Sequence, residues 1–349
     1  MSTPKFILSK KIAKEKVKIL EDLGLKVSYS YKTNHEIGDV LQKLCKNVDF
    51  SIHAKEEIDM IKDKNKIWFF TQAETKKELE NILKKGVKKF VIDNEIDLKQ
   101  LLEAIKNTNI KINLSLRMKF QEHRVGTGKY FVYGMNSNII NKIISEIKEN
   151  KLICKLGVHI HRKSQNTSEW DIKEELEDSL TRESLNSLDF LNLGGGLPSK
   201  YRSHAVEVLP YIFSKIKETI NWLKNFEIET IIEPGRFIAA SAVKLETSII
   251  QIQGENLIIN TTIYNCALDT ILTETKMLIQ GELEEQDNGK YYLIKGNSPT
   301  RDDIFRYKVK LKDPKIGDKV IFLNAGAYNY TTDFFGYKKL KTEIVEDFS

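Results

Sequence analysis

The chain has 349 residues, of which 41% are hydrophobic and 30% charged, and its net charge is +6 at pH 7. No apolar run approaches the roughly 20 residues of a membrane-spanning helix, and scattered lysines do not indicate a nucleic-acid surface. The N-terminus lacks the apolar core of a signal peptide, and the three cysteines lie far apart. We therefore expect a cytoplasmic protein with free thiols and with neither a membrane nor a nucleic-acid partner.

Short apolar runs alternate with amphipathic segments in the first two thirds of the chain. Helical spacing of apolar residues marks several of the amphipathic segments, among them 78–85, 97–106, 139–147 and 211–224. Eight apolar runs are typical of strands: 27–31, 49–53, 67–71, 89–92, 112–118, 156–161, 188–193 and 230–233. Eight strand-then-helix units over roughly 220 residues predict an α/β fold, the TIM-like (β/α)₈ barrel.

The last hundred residues show strand-like runs without helices between them. The runs are 243–252, 257–263, 276–281, 291–295, 320–323 and 342–345. Asp287-Asn288-Gly289 is typical of a hairpin turn. We therefore expect two domains, a barrel over residues 25–245 and a C-terminal antiparallel β-barrel or sandwich over 246–349, to which we also assign residues 1–24.

Polar or flexible residues follow two successive strands of the predicted barrel, where a barrel enzyme carries its site. Gly194-Gly195-Gly196 follows one strand, and its bare N–H groups could cradle a phosphate or simply form a turn. Glu233-Pro234-Gly235-Arg236 ends the next strand with a carboxylate, a turn and an arginine. The two strand ends together favour a binding site.

Two further strand ends carry groups with specific chemistry. Lys32 follows the first strand, where a desolvated amine can form a Schiff base, although a lysine on the surface is the common alternative. His159 and His161 share one face of the sixth strand, as a metal pair or as a flat ring for stacking on a cofactor. No third ligand follows with suitable spacing, so we predict no metal.

These strand ends resemble, in order, the motifs of the pyridoxal-phosphate-dependent decarboxylases of the ornithine, diaminopimelate and arginine decarboxylase group. That family has the alanine-racemase-like barrel, fold type III. The resemblance covers nearly the whole chain. The matching stretches are Tyr31-Lys32-Thr33-Asn34, Asp93-Asn94-Glu95, Leu116-Arg117-Met118, His159 to Gln165, Gly194 to Gly196, Glu233 to Arg236 and Gly326-Ala327-Tyr328.

The resemblance implies pyridoxal 5'-phosphate as cofactor and a role for each matching residue. Lys32 would bind the cofactor covalently, and His161 would stack on its ring. Glu233 would keep the pyridine nitrogen protonated, which favours decarboxylation over racemisation because the racemase branch has an arginine there. The phosphate ligands would be Ser164, Gly194, Gly195, Gly196, Gly235, Arg236 and Tyr328.

The chain departs from the family in its C-terminal substrate motif, Cys-Asp-x-x-Asp. One alignment retains Asp303, with Pro299 in place of the cysteine and Thr300 in place of the first aspartate. A shifted alignment matches Asp302 instead. The residue that protonates the product is therefore not identified, and Thr300, Asp302 and Asp303 are all candidates for the substrate site.

A second departure adds two cations beside the histidine pair. Arg162 and Lys163 stand where the family has a small residue and a glycine. They could bind a second carboxylate or face solvent.

The sequence thus predicts decarboxylation of a basic amino acid (ornithine, lysine or arginine) feeding polyamine synthesis. A carboxylate at Asp302 or Asp303 would pair with the far amine or guanidinium of the substrate. The family further implies a head-to-tail homodimer with shared active sites. The alternatives are a diaminopimelate or carboxynorspermidine decarboxylase, a catalytically silent homologue that binds a partner protein, and a cofactor carrier, which the C-terminal domain argues against.

Overall fold

The computed structural model describes residues 2–120, 133–203, 207–330 and 336–348, and its centre is a closed barrel of eight parallel strands, as the sequence predicts. Strand β1 (Lys5–Ser9) precedes the barrel and lies outside it. The barrel strands are β2 (Lys26–Ser30), β3 (Asp49–Ile52), β4 (Ile67–Phe70), β5 (Lys89–Ile92), β6 (Ile112–Met118), β7 (Ile153–Ile160), β8 (Phe190–Asn192) and β9 (Glu229–Ile232).

Helices connect most of these strands. They are α1 (Lys10–Glu21), α2 (His35–Leu44), α3 (Lys76–Lys84), α4 (Glu95–Thr108), α5 (Ser137–Ile147), α6 (Ile172–Ser179), α7 (Arg182–Leu185), α8 (Leu209–Leu223) and α9 (Arg236–Ala239). No described helix is long and apolar enough to cross a membrane.

The expectation of an α-helix in every connection is wrong between β3 and β4. Two 3₁₀ helices, Lys55–Met60 and Lys64–Lys66, stand there instead. The buried residues Ile58 and Ile61 are three positions apart, a spacing that places them on one face of a 3₁₀ turn.

Apolar side chains fill part of the barrel interior. Trp68, Val91, Phe190 and Ile231 form an apolar cluster there. Gly157 makes room for Phe190, because a Cβ on Gly157 would lie 2.3 Å from that ring. Val91 of this cluster also lines a cavity at the C-terminal ends of the strands, where the loops carry the predicted site residues.

The rest of the chain forms a second sheet together with β1. Its other strands are β10 (Val243–Gln253), β11 (Asn256–Ile259), β12 (Leu278–Ile279), β13 (Lys290–Lys295), β14 (Ile304–Leu311), β15 (Lys319–Leu323) and β16 (Lys341–Val345). The expectation of a purely antiparallel sheet is wrong, because β1 pairs with β16 and β11 pairs with β13 in parallel.

Two short helices interrupt the run that the sequence predicts as a strand over residues 257–263. They are α10 (Ile263–Cys266) and α11 (Leu268–Thr273). The Thr262 side chain accepts a hydrogen bond from the Tyr264 N–H, which caps α10 and ends the extended segment.

The N-terminal residues divide between the two parts of the fold. Strand β1 pairs with β10 and β16 of the second sheet, whereas α1 packs on α2, β2 and α9 of the barrel. Strand β10 also runs without a break across residue 245, where the sequence places a boundary. The domain limits stay a prediction.

Candidate active site

The predicted cofactor residues meet at one cavity of about 580 Å³ at the C-terminal ends of the barrel strands. Its lining comes from the ends of all eight barrel strands and from Tyr328, which lies in the C-terminal part of the chain. The lining residues that the sequence predicts for the cofactor are Lys32, His161, Ser164, Gly195, Gly196, Glu233, Gly235, Arg236 and Tyr328. Gly194 lies beside them, and its N–H donates to Asn192 Oδ1 at 2.9 Å.

Lys32 occupies a turn that is fixed on both sides. It lies in the 3₁₀ helix Tyr31–Thr33 directly after β2. Asn34 ends that turn and begins α2, since its Oδ1 accepts from the Ile37 N–H while its Nδ2 donates to the Gly326 carbonyl at 2.9 Å. The Lys32 side chain is open to the cavity yet surrounded by protein.

The environment of Lys32 shifts the pKa of its amine downward. Burial lowers its pKa, the carboxylates of Glu233 and Glu57 oppose that effect, and the charge of Arg117 adds to it. The uncharged amine is the form that attacks an aldehyde, and a lower pKa makes that form more abundant at a given pH. This agrees with the cofactor role predicted for Lys32.

Glu233 is a buried carboxylate with three hydrogen-bond partners. Ser51 and Asn192 each donate to Oε1 at 2.8 Å, and His159 Nε2 lies 3.1 Å from Oε2. Burial by itself would raise the pKa of Glu233, but His159 and the other partners lower it to about 2. The group is therefore ionised at neutral pH and can accept a further proton donor from the cavity.

His161 presents an uncharged ring to the cavity. Its Nδ1 accepts a hydrogen bond from the Gly195 N–H at 3.2 Å. Burial, followed by the neighbouring His159 and Arg117, lowers the pKa of His161 to about 3. A neutral, flat ring held by the glycine loop suits stacking on a cofactor.

The glycine residues give the cavity an anion-binding edge. The N–H groups of Gly196 and Gly235 donate to no acceptor among the described residues. A Cβ on Gly235 would lie 2.3 Å from Thr33 Oγ1, so the chain has room only for glycine there. The hydroxyls of Ser164 and Tyr328 line the same cavity. This donor set fits the phosphate of pyridoxal phosphate.

The side chain of Arg236 forms its hydrogen bonds with other residues of the protein. Its Nη1 and Nη2 pair with both oxygens of Asp269 in α11, and Nη1 also donates to the Tyr201 hydroxyl. Its Nε is buried without a partner in the described residues. Both Nη atoms are therefore already bonded, which leaves the Nε and the backbone N–H of Arg236 for the predicted phosphate role.

The other cations of the cavity are also paired. Arg117 Nη1 lies 3.2 Å from Asp93 Oδ1. Arg162 and Lys163 both pair with Glu169, and Arg162 pairs with Glu175 as well. Both residues line the cavity, so they do not simply face solvent.

The structure does not bring Thr300, Asp302 or Asp303 to the cavity of their own chain. Asp303 is completely buried, and its two oxygens accept from the N–H groups of Ile263 and Ser298. These bonds hold the turn before β14, so Asp303 has a structural role rather than the substrate role predicted for it. Asp302 is exposed.

Thr300 bonds within the same region. Its hydroxyl lies 2.9 Å from the Tyr264 hydroxyl. The substrate roles of Thr300 and Asp302 remain predictions.

Three residues of the site, Ser51, His53 and Asn192, are not among those that the sequence predicts. Ser51 and Asn192 bond Glu233, and His53 lines the cavity one residue beyond β3. The rule that barrel site residues follow strand ends, applied to every strand, would have found His53. Ser51 lies inside β3 and Asn192 is the last residue of β8, and neither stands in a motif of its own.

A family described as "Pyridoxal-dependent decarboxylase, pyridoxal binding domain" matches residues 9–240. The chain belongs to the pyridoxal-dependent decarboxylase family. This match confirms the resemblance read from the strand ends and the expectation of pyridoxal phosphate as cofactor. It covers the barrel and the residues before it.

Individual relatives of this family member are distant. Diaminopimelate decarboxylase of Bacillus subtilis is 25% identical, over 76% of this chain and 66% of that protein. Antizyme inhibitor 2 of Xenopus laevis is 21% identical, over 90% of this chain and 74% of that protein. The alignments with four diaminopimelate decarboxylases span 57% to 66% of those proteins' own lengths.

A solved structure confirms the architecture. Diaminopimelate decarboxylase from Helicobacter pylori, complexed with L-lysine, matches with a TM-score of 0.83 over 99% of this chain and 92% of that chain. The identity is 19%, so the match shows the fold.

Proposed function

We propose that this protein is a pyridoxal-phosphate-dependent lyase that decarboxylates a basic amino acid, ornithine, lysine or arginine, for polyamine synthesis. The observation that carries the proposal is the convergence of Lys32 and an ionised Glu233 on one cavity. Family membership supplies the cofactor, and the carboxylate at Glu233 supplies the reason for decarboxylation rather than racemisation.

Each residue has a task that follows from its surroundings. Pyridoxal phosphate, when bound, supplies a ring that takes up the electrons left behind as CO₂ departs. Lys32 would hold it covalently, and the N–H groups of Gly196 and Gly235 would hold its phosphate. Glu233, kept ionised by His159, would hold a proton on the pyridine nitrogen, which makes the ring a stronger acceptor. His161 would orient the ring and exclude water from one side.

The far end of a basic substrate needs a carboxylate, and the described residues of a single chain offer no unpaired one at the cavity. Among the described residues the cavity carboxylates are Asp93 and Glu233, and both have partners already. Asp302 is exposed and lacks an ion-pair partner among the described residues. We therefore propose a head-to-tail homodimer in which Asp302 of one subunit completes the cavity of the other and binds the distal amine.

Diaminopimelate is the second candidate substrate, and two observations favour it. Curated relatives of the barrel carry the name diaminopimelate decarboxylase. Arg162 and Lys163 lie at the cavity, where they could bind a second carboxylate in exchange for Glu169.

A visible absorbance spectrum tests the proposal. The purified protein and Lys32→Ala are reconstituted with pyridoxal phosphate and mixed with ornithine, lysine, arginine and diaminopimelate, while CO₂ release is measured. We expect a visible band in the parent that is absent from the variant, and one basic amino acid that perturbs the band and releases CO₂. A parent that takes up no cofactor contradicts the proposal. A parent that takes it up and ignores every amino acid favours the silent homologue.

A further inference from the structure

His53 lies beside Lys32 at the mouth of the barrel. Strands β2 and β3 are parallel neighbours, and their register pairs Ser30 with Ser51. Lys32 and His53 each lie two residues beyond that pair, just past the ends of two strands that run about 4.8 Å apart. Both side chains line the same cavity.

The imidazole of His53 is held in place but not hydrogen-bonded. It stacks on Phe70 with a ring-centroid distance of 4.5 Å and an interplanar angle of 14°. The backbone N–H of His53 donates to Glu57 Oε2 at 3.1 Å, whereas neither ring nitrogen bonds to any described residue. One face of the ring is thus covered, and its nitrogens are open to the cavity.

Other ionisable side chains of the cavity, unlike the His53 ring, have hydrogen-bond or ion-pair partners. His161 accepts from Gly195, and His159 bonds Glu233. The arginines and Lys163 are paired with carboxylates. Within the described part of the chain, His53 is therefore the base of this cavity that is free to take a proton from its neighbour Lys32.

The charges around His53 keep it neutral while Lys32 is an ammonium. Burial, followed by the charge of Lys32, lowers the pKa of His53 to about 4, while Glu233 and Glu57 oppose this and His159 adds to it. Two positive charges at neighbouring strand ends repel each other, here with both side chains exposed at the cavity. Lys32 and His53 therefore titrate as a pair that favours one proton over two.

We propose that His53 acts through Lys32, as the base that accepts a proton from its Nζ and so frees the amine to react with the aldehyde of the cofactor. The N–H bond of the ammonium breaks with its electron pair left on Nζ, and a lone pair of a His53 ring nitrogen forms the new N–H bond. The positive charge moves from Lys32 to His53, and no oxidant or reductant takes part. The imidazolium then releases its proton to water. The inference rests on the proposed function, in which Lys32 is the cofactor lysine.

The test follows cofactor capture rather than turnover. The full-length protein is freed of cofactor and mixed with pyridoxal phosphate from about pH 6.5 to about pH 9.5, a range that spans the ordinary pKa values of histidine and lysine. Stopped-flow absorbance gives the capture rate, and borohydride reduction followed by mass spectrometry confirms Lys32 as the attachment point. His53→Asn and His53→Ala are compared with the parent, and thermal melting checks that each is folded.

We expect capture near neutral pH to be about a hundredfold slower in both His53 variants, in line with the loss of a general base. The rate should return toward the parent value as the pH rises, because the ammonium then loses its proton without help. Added imidazole should accelerate capture by His53→Ala and leave the parent unchanged. The matched control is His35→Gln, since His35 bonds the same Glu57 but does not line the cavity. It should keep the parent profile.

The outcomes separate this inference from the proposed function. His53 variants whose pH profile has the parent's shape, with no response to imidazole, overturn the role of His53 alone. A parent that captures no pyridoxal phosphate on Lys32 overturns the proposed function and this inference with it.

Discussion

Arg236 and Asp269 form a buried two-pronged ion pair, with Nη1 2.5 Å from Oδ2 and Nη2 2.8 Å from Oδ1. Arg236 begins the short helix after the last barrel strand, and Asp269 lies in a helix of the second sheet region. The pair therefore links the cavity edge to the other part of the fold. It also occupies both Nη atoms, so the phosphate role predicted for Arg236 would fall to its Nε or its backbone N–H.

Asp269→Asn should lower the free energy of unfolding by about 3 kcal/mol or more, because it leaves a buried guanidinium without its counter-charge. Urea denaturation of the cofactor-free protein measures this. Lys55→Ala is the control, since Lys55 pairs with Glu78 on the surface and should cost at most about 1 kcal/mol. Equal losses in the two variants would contradict the expectation that the buried pair contributes more to the free energy of unfolding than the surface pair.

Glu233→Gln should retain cofactor capture but lose decarboxylation. The amide cannot carry the negative charge that holds a proton on the pyridine nitrogen, so we expect kcat to fall by about 10² to 10³, as for other transition-state charge groups. CO₂ release with the best substrate measures it. Ser51→Ala removes one hydrogen bond to Glu233 but keeps the charge, and should lose far less activity. A Glu233→Gln enzyme with parent kcat contradicts this role.

The stability of the cofactor-free protein should fall with pH because His161 is neutral in the fold. The folded-state pKa of His161, about 3, lies below the ordinary value of 6.5, so the unfolded state takes the proton first. Stability is therefore complete above about pH 6.5 and is lost as the pH falls toward about 3. Between pH 7 and pH 5 the loss should reach about 2 kcal/mol at most. The urea midpoints at pH 7 and pH 5 should differ less in His161→Gln than in the parent, and equal drops in the two proteins would contradict the prediction.

Lys32→Ala and Asp302→Ala should each be inactive alone and partly active when mixed. If Asp302 completes the cavity of the second subunit, a hybrid dimer carries one intact site. Random exchange in an equal mixture should restore about a quarter of the parent activity. CO₂ release after co-refolding measures it. An Asp302→Ala protein that is active without its partner, or a fully active monomer, rules out the shared site.

Much of the site could be predicted because a parallel barrel collects its strand ends at one mouth. Lys32, His161 and Glu233 each follow or end an apolar run, and the eight runs imply that their ends meet. His53 also follows the end of a strand, but the sequence does not single it out, because no motif surrounds it. Ser51, inside β3, and Asn192, at the end of β8, belong to the site through their hydrogen bonds to Glu233.

The sequence by itself determined the barrel, the cofactor family and the residues at the strand ends, because strand periodicity and strand-end chemistry are local properties. Tertiary structure decided how each charge is used. Asp303 is buried and accepts hydrogen bonds from two backbone N–H groups, while its neighbour Asp302 is exposed. Arg236 bonds a residue 33 positions away, and His53 comes to lie beside Lys32. The partner of each charge depends on which distant segments pack together in the protein interior, where an unpaired charge is costly. A local sequence pattern does not show which segments these are.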